Sequence, residues 1–262
     1  GKITIDKVEC SSKKELPPQL YDLTELQRDA NKRFGFSAKY TLNLMQSLYE
    51  THKVLTYPRS DSRYLSADIV PTLKERLQAI AIDAYEPFAH MILKKGIKVN
   101  KRIVDDSKVS DHHAIIPTEE YVELQRLSHD ERCIYDLVIR RFLAVLSDVC
   151  LYEKTRIEGS CNKHHFFASG KIMKQAGWRS LYQRNDVFDE EEEENDSRGN
   201  SLKEQMLPEV KKGEKYPVQN LELTKGKTKP PAPFNEATLL SAMENPVKYM
   251  ESRDAAAVKT LG

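Results

Sequence analysis

The sequence has 262 residues, of which 39% are hydrophobic and 31% charged, enough to bury a real core beneath a strongly polar surface. A net charge of +1 excludes binding of nucleic acid through overall charge and confines any such binding to local patches. No run approaches the roughly 20 apolar residues of a membrane span, no signal peptide opens the chain, and Cys10, Cys133, Cys150 and Cys161 lack zinc spacing and read as reduced intracellular thiols.

Lys2 to Val8 alternates like a strand and is followed by a polar connector ending at Pro17-Pro18. Asp22, with Glu25 three residues on, predicts an N-cap for a helix over Leu23 to Phe34 that stops at Gly35. Ser37 opens a second helix with Leu42, Met45, Leu48 and Tyr49 at helical spacing, and Val54 to Tyr57 reads as a short β segment. Ser66 to Lys95 is expected to be helical, broken near Pro71 and Pro87 and closed by Gly96. Lys94, Lys95, Lys98, Lys101 and Arg102 form a basic cluster that reads either as a solvated face or as a track for phosphates.

Ser128 and Glu131 form a capping box for a long helix to about Leu146, with Ile134, Leu137, Val138, Phe142 and Val145 as its core stripe and Arg140 and Arg141 outside or at an edge. The period then changes to that of strands at Leu151–Ile157, Phe166–Gly170 and Lys215–Leu223. The acidic run Asp189 to Asn195 reads as a self-repelling loop rather than a metal site. A basic, proline-rich connector from Lys225 precedes a helix over Phe234 to Glu244, and the last residues end without a closing element, as in a piece of a longer protein.

The densest chemistry lies in Thr56-Tyr57-Pro58-Arg59-Ser60-Asp61-Ser62-Arg63. Pro58 holds Tyr57 out of the helical basin. A phenol beside a guanidinium fork suits attack on a phosphate, because planar guanidinium pairs bidentately with phosphate oxygens. A tyrosine before proline also fills turns and cores, and the residues alone leave both readings open.

Tyr57-Pro58-Arg59-Ser60-Asp61-Ser62 resembles the nucleophile motif of the type IA DNA topoisomerases. Pro17 to Gln27, Leu48-Tyr49-Glu50, His112-His113-Ala114-Ile115-Ile116-Pro117-Thr118 and Pro231 to Leu240 are similar to further family segments in the same order, closest to the bacterial topoisomerase III branch. Position 60 departs from the usual threonine but keeps a hydroxyl; the region near 186–206 matches poorly.

This resemblance implies a multi-domain α+β protein. A helical, winged-helix-like nucleophile domain (17–146) would be inserted into a β-rich arch domain (1–16 and 147–224), with 225–262 beginning the DNA-gate domain. It implies Tyr57 as nucleophile forming a transient 5′-phosphotyrosyl link, Arg59 stabilising phenolate and phosphate, and His112, Ser60 and Arg63 as DNA-binding residues. Asp61 would act behind them, positioning Arg59. The implied partner is DNA, chiefly single-stranded, with no membrane and with the bacterial cytoplasm and nucleoid as location. Mg²⁺ would be held by a Toprim domain, with no metal expected on these residues, so that this piece alone would cleave and reseal poorly. The alternatives are a non-catalytic DNA-binding module, a scaffold docking partners through the acidic loop, and the topoisomerase I rather than III form.

Overall fold

The structure is a computed structural model that describes residues 1–182, 207–228, 230, 232–244 and 246. The acidic run at 189–195 and the chain end at 255–262 lie outside the described residues. The chain divides into two compact units, Gly1–Pro17 with Ser147–Lys229 and Pro18–Leu146 with Pro230–Gly262.

The first unit is built on an antiparallel sheet of β1 (Lys2–Glu15), β2 (Cys150–Cys161), β3 (His164–Gln175) and β4 (Lys215–Pro217), in the order β3-β2-β1-β4. The β2–β3 hairpin turns at Asn162 and Lys163, both at positive φ (49° and 67°), the twist that two-residue hairpins require. β1 runs on to Glu15, past the stretch that alternates, because Cys150 to Arg156 pair with Glu9 to Glu15 residue by residue. Those β1 residues are mostly solvated on both faces, so no apolar alternation could mark them as strand. β4 is shorter than its pattern suggests, and Leu221 and Leu223 are exposed. Trp178 closes one end of the sheet: it is buried, and its indole Nε1–H donates to the Glu15 carbonyl at 3.0 Å. Gly177 makes that corner possible with φ +53°, where a Cβ would run into the backbone carbonyl oxygens of Val149 and Asp148.

The second unit is helical: α1 (Leu23–Phe34), α2 (Ala38–Glu50), α3 (Leu73–Ala79), α4 (Glu86–Lys95), α5 (His129–Leu146) and α6 (Glu236–Glu244), with 3₁₀ turns between several of them. The expected caps are present. Asp22 Oδ1 accepts from the Glu25 amide at 2.7 Å, Gly35 sits at φ 71°, and Ser37 Oγ accepts from the Tyr40 amide at 3.2 Å. In the α5 capping box, Glu131 Oε2 accepts from the Ser128 amide at 2.7 Å and Ser128 Oγ from the Glu131 amide at 3.3 Å. Burial alone would raise the Glu131 carboxyl, but Ser47, both Ser128 groups and His52 act on it together and hold it down at about 2.

Leu26, Met45, Leu48, Leu73, Leu77, Ile134, Val138 and Phe142 are fully buried and form the core, each worth about 1.5–3 kcal/mol in transfer terms. Two expectations need correcting. Pro87 does not break a helix but sits in the first turn of α4, where its missing N–H is harmless. The break falls at 80–82, beyond α3. Arg141, expected outside or at an edge, is buried: its guanidinium donates to Asp29 Oδ2 (2.7 Å), the Tyr21 hydroxyl (2.9 Å) and the Gln19 carbonyl (3.0 Å), over the Tyr21 ring. Tyr21 in turn donates its hydroxyl to Asp29. A charge on an apolar helix face is tolerated here because an opposite charge and hydrogen bonds compensate its desolvation.

Candidate active site

The tyrosine motif lies in the helical unit on a loop leaving α2. Lys53, at φ 58°, turns the chain out of the helix end. Val54 to Thr56 then run antiparallel to 116–118, with Thr56 N–H donating to Ile116 O (3.0 Å) and Thr118 N–H to Val54 O (3.1 Å). The expected β segment is therefore one isolated bridge, Leu55 with Pro117. Beyond it, Pro58 and Arg59 form a turn.

Tyr57, half-buried, is held between two rings. Tyr49 of α2 meets it edge-on (centroids 5.7 Å apart, planes at 87°), and His112 lies against its face (4.1 Å, 32°). Both His112 and Tyr57 line a cleft of about 190 Å³ with Thr56, Ser66, Asp68 and His113. His113 Nδ1–H donates to the Ala114 carbonyl at 2.8 Å. Burial, with Arg76 and His112 adding, holds the His113 imidazole below its usual pKa.

Two buried serines set His112 against Tyr57. Ser60 Oγ donates to the His112 carbonyl at 3.0 Å and accepts from the Ser62 amide at 3.2 Å. Ser62 Oγ donates to the Lys108 carbonyl at 2.8 Å, while the Ala114 amide donates to Tyr64 O (2.8 Å) and the Ile115 amide to Tyr21 O (2.8 Å). The loop 57–64 and the segment 108–116 are thus stitched together by three of these hydrogen bonds, and the bond to Tyr21 ties the same segment to the start of the unit.

The other sequence candidates fall in different settings. Arg59 is exposed and has no hydrogen-bond or ion-pair partner among the described residues. Asp61, also exposed, accepts from Ser110 Oγ at 3.1 Å. Arg63 faces carboxylates of its own chain: Nε meets Asp22 Oδ2 at 2.5 Å, and Nη2 meets Glu244 Oε1 at 2.9 Å and Glu25 Oε2 at 3.7 Å. Ser60 directs its hydroxyl into the protein rather than into the cleft. Sequence reasoning did not single out Ser62, Asp22, Glu25 or Glu244 for this site. The serine had a signal in its place within the motif, whereas the α6 carboxylate joins from 181 positions along the chain.

The arrangement offers a phenol with one aromatic face against an imidazole, an open cleft beside it, and an unpaired guanidinium two residues on. These are groups suited to an anionic ligand. Among the described residues there is no group of three or more His, Cys, Asp or Glu able to hold a metal ion. No described helix is long and apolar enough to cross a membrane.

A family described as DNA topoisomerase matches residues 1–247. DNA topoisomerase 3 of Bacillus cereus (strain ATCC 14579) is 54% identical over 258 residues, covering 98% of this chain and 34% of that protein. DNA topoisomerase 3 of Bacillus subtilis (strain 168) is 51% identical over 258 residues, with the same shares. The chain thus spans about a third of the length of these curated relatives (34%). Full-length topoisomerase I of Thermotoga maritima shares the fold, with a TM-score of 0.64 at 21% identity over 99% of this chain and 40% of that one.

Proposed function

The chain belongs to the type IA DNA topoisomerases, with topoisomerase III sequences among its relatives, and from that premise we propose that Tyr57 is the nucleophile of a reversible single-strand DNA cleavage. The observation that carries this reading is the clasp on Tyr57: a half-buried phenol against His112 at 4.1 Å, in a cleft, with the unpaired Arg59 beside it.

The Tyr57 oxygen attacks a backbone phosphodiester and forms an O–P bond as the bond to the 3′ oxygen breaks. The phenolic proton passes to solvent, the leaving 3′ oxygen takes one up to become a hydroxyl, and the 5′ phosphate remains on the tyrosine. Attack by the 3′ hydroxyl reverses the step, and because the ester energy is retained no ATP is consumed. Arg59 neutralises the developing phenolate and the added charge on phosphorus, a positive charge placed two residues from the point where negative charge develops. His112 holds a non-bridging oxygen of the bound strand from its place on the Tyr57 ring. Ser60 acts through the His112 backbone, and Asp61 positions the loop.

In this reading residues 17–146 are the nucleophile domain inserted into a β-rich arch domain, and 225–262 begins the DNA-gate domain. Magnesium, which the family resemblance implies, belongs to a Toprim domain outside these residues. The full protein relaxes or decatenates bacterial DNA in the cytoplasm, while this stretch alone cleaves poorly.

The test is covalent capture on a single-stranded oligonucleotide labelled at its 3′ end, with the parent protein and its Tyr57→Phe variant. A labelled protein band that disappears in the variant supports the assignment and the 5′ linkage. A band that persists moves the nucleophile elsewhere. Absence of any band with DNA binding intact favours a non-catalytic DNA-binding module.

A further inference from the structure

Arg63 is the feature of the motif loop that the proposed reaction leaves unused. It lies at the centre of a cluster of two guanidiniums and three carboxylates. Asp22, Glu25 and Glu244 converge on Arg63, and Arg28 Nη1 reaches Glu25 Oε2 at 2.9 Å and Glu244 Oε2 at 3.7 Å. The three carboxylates are not equivalent. Asp22 and Glu25 belong to the first turn and cap of α1, within the body of the unit, and their side chains are 9% and 16% exposed. Glu244 is the last residue of α6, and its side chain is 43% exposed.

The attachment of α6 is polar. Ala237 is its single buried residue, whereas Leu239 and Met243 are exposed. Its described polar ties include the Ala38 amide donating to Glu236 Oε2 at 2.7 Å, the Ala237 amide donating to Asn31 Oδ1 at 3.3 Å, and the Glu244 pairs. A helix docked through hydrogen bonds and partly exposed ion pairs is weakly held and sensitive to salt.

A carboxylate and a phosphodiester present the same acceptor geometry to a guanidinium. We propose that Arg63, with Arg28 beside it, is a phosphate-binding subsite for the DNA strand, and that Glu244 occupies it in the absence of DNA. The strand phosphate and Glu244 then exclude one another at Arg63 Nη2, so that strand entry releases the end of α6 while Asp22 continues to hold Nε. This rests on the proposed DNA function but not on Tyr57 as nucleophile, since binding can be read without cleavage.

The test is binding of a fluorescein-labelled single-stranded oligonucleotide by anisotropy across a salt series, with wild type, E244Q, R63Q, the double variant and E236Q. The proposal expects E244Q to bind several-fold more tightly at low salt, and R63Q to show a log–log salt slope shallower by about 0.7, the value for one lost phosphate contact on a single strand. R63Q should bind more weakly, and E244Q should have no effect in the R63Q background. E236Q is the control, because it removes the same charge from the same helix without touching Arg63. An equal gain in E236Q, or a gain from E244Q that survives R63Q, assigns the effect to general charge or helix release and overturns the competition. E244Q binding like wild type also overturns it. If wild type binds no oligonucleotide, the DNA function itself has failed, an outcome distinct from all the others.

Discussion

Replacing Ser60 with alanine tests whether a buried hydroxyl holds the two halves of the site together. Ser60 is 2% exposed, and its Oγ makes two hydrogen bonds, to the His112 carbonyl at 3.0 Å and from the Ser62 amide at 3.2 Å. A net intramolecular hydrogen bond is worth about 0.5–1.5 kcal/mol, and a buried partner left unpaired adds a desolvation penalty of about 1–3 kcal/mol. The His112 residue is exposed, so water can replace the bond to its carbonyl, and the penalty falls chiefly on the buried Ser62. The expected loss is about 2–3 kcal/mol, or roughly 4–12 °C in melting temperature for a unit of this size. Thermal and urea unfolding followed at 222 nm report the helical unit, with Ser60→Thr as the variant that keeps the hydroxyl. A second readout is local. The His112 imidazole protons lie over the Tyr57 ring, and their NMR shifts should relax toward free-histidine values in Ser60→Ala. A Ser60→Ala protein within about 0.5 kcal/mol of wild type, with those shifts unchanged, would refute the argument that this hydroxyl positions His112.

Three further outcomes follow from the packing. The Glu131 carboxyl is depressed to about 2 in the folded state, so its contribution is complete above its ordinary value near 4.5 and disappears as pH falls from there toward 2. Glu131→Gln should therefore cost about 1–2 kcal/mol at pH 6 and match wild type near pH 2, as urea midpoints across that range would show. Arg141→Met strands Asp29 in the interior and should cost about 3 kcal/mol or more, with Asp29→Asn restoring part of it in the double variant; additive losses in chemical denaturation would contradict the buried pair. Gly177→Ala forces a side chain against two backbone carbonyls at a left-handed position and should cost more than about 2 kcal/mol. Because Trp178 is the single tryptophan, a red-shifted emission at lower urea reports this loss directly in the sheet unit, and an unshifted midpoint would count against it.

The sequence by itself determined the helices and the strings of chemistry. Asp22, Ser37, Ser128 with Glu131, and Gly35 mark their helix ends through bonds that reach no further than four residues, and such bonds can be read from spacing. The same holds for Tyr57, Arg59 and His112, whose motifs are contiguous. What the sequence could not reveal depends on partners distant along the chain. Arg141 looks like a surface residue on the helical wheel until Asp29 and Tyr21 meet it, more than 100 positions earlier. Ser60 looks like a ligand-facing hydroxyl until its acceptor, the His112 carbonyl, arrives 52 residues later. Arg63 looks like a free cation until Glu244 comes across from 181 residues away, and the outer half of β1 looks like a connector until Cys150 to Arg156 pair with it. Local pattern identifies which groups a chain carries and which stretches are helical. Which polar group is buried, and which charge is already paired, depends on long-range closure, because the cost of desolvating a group is met only by the partner that the tertiary structure brings to it.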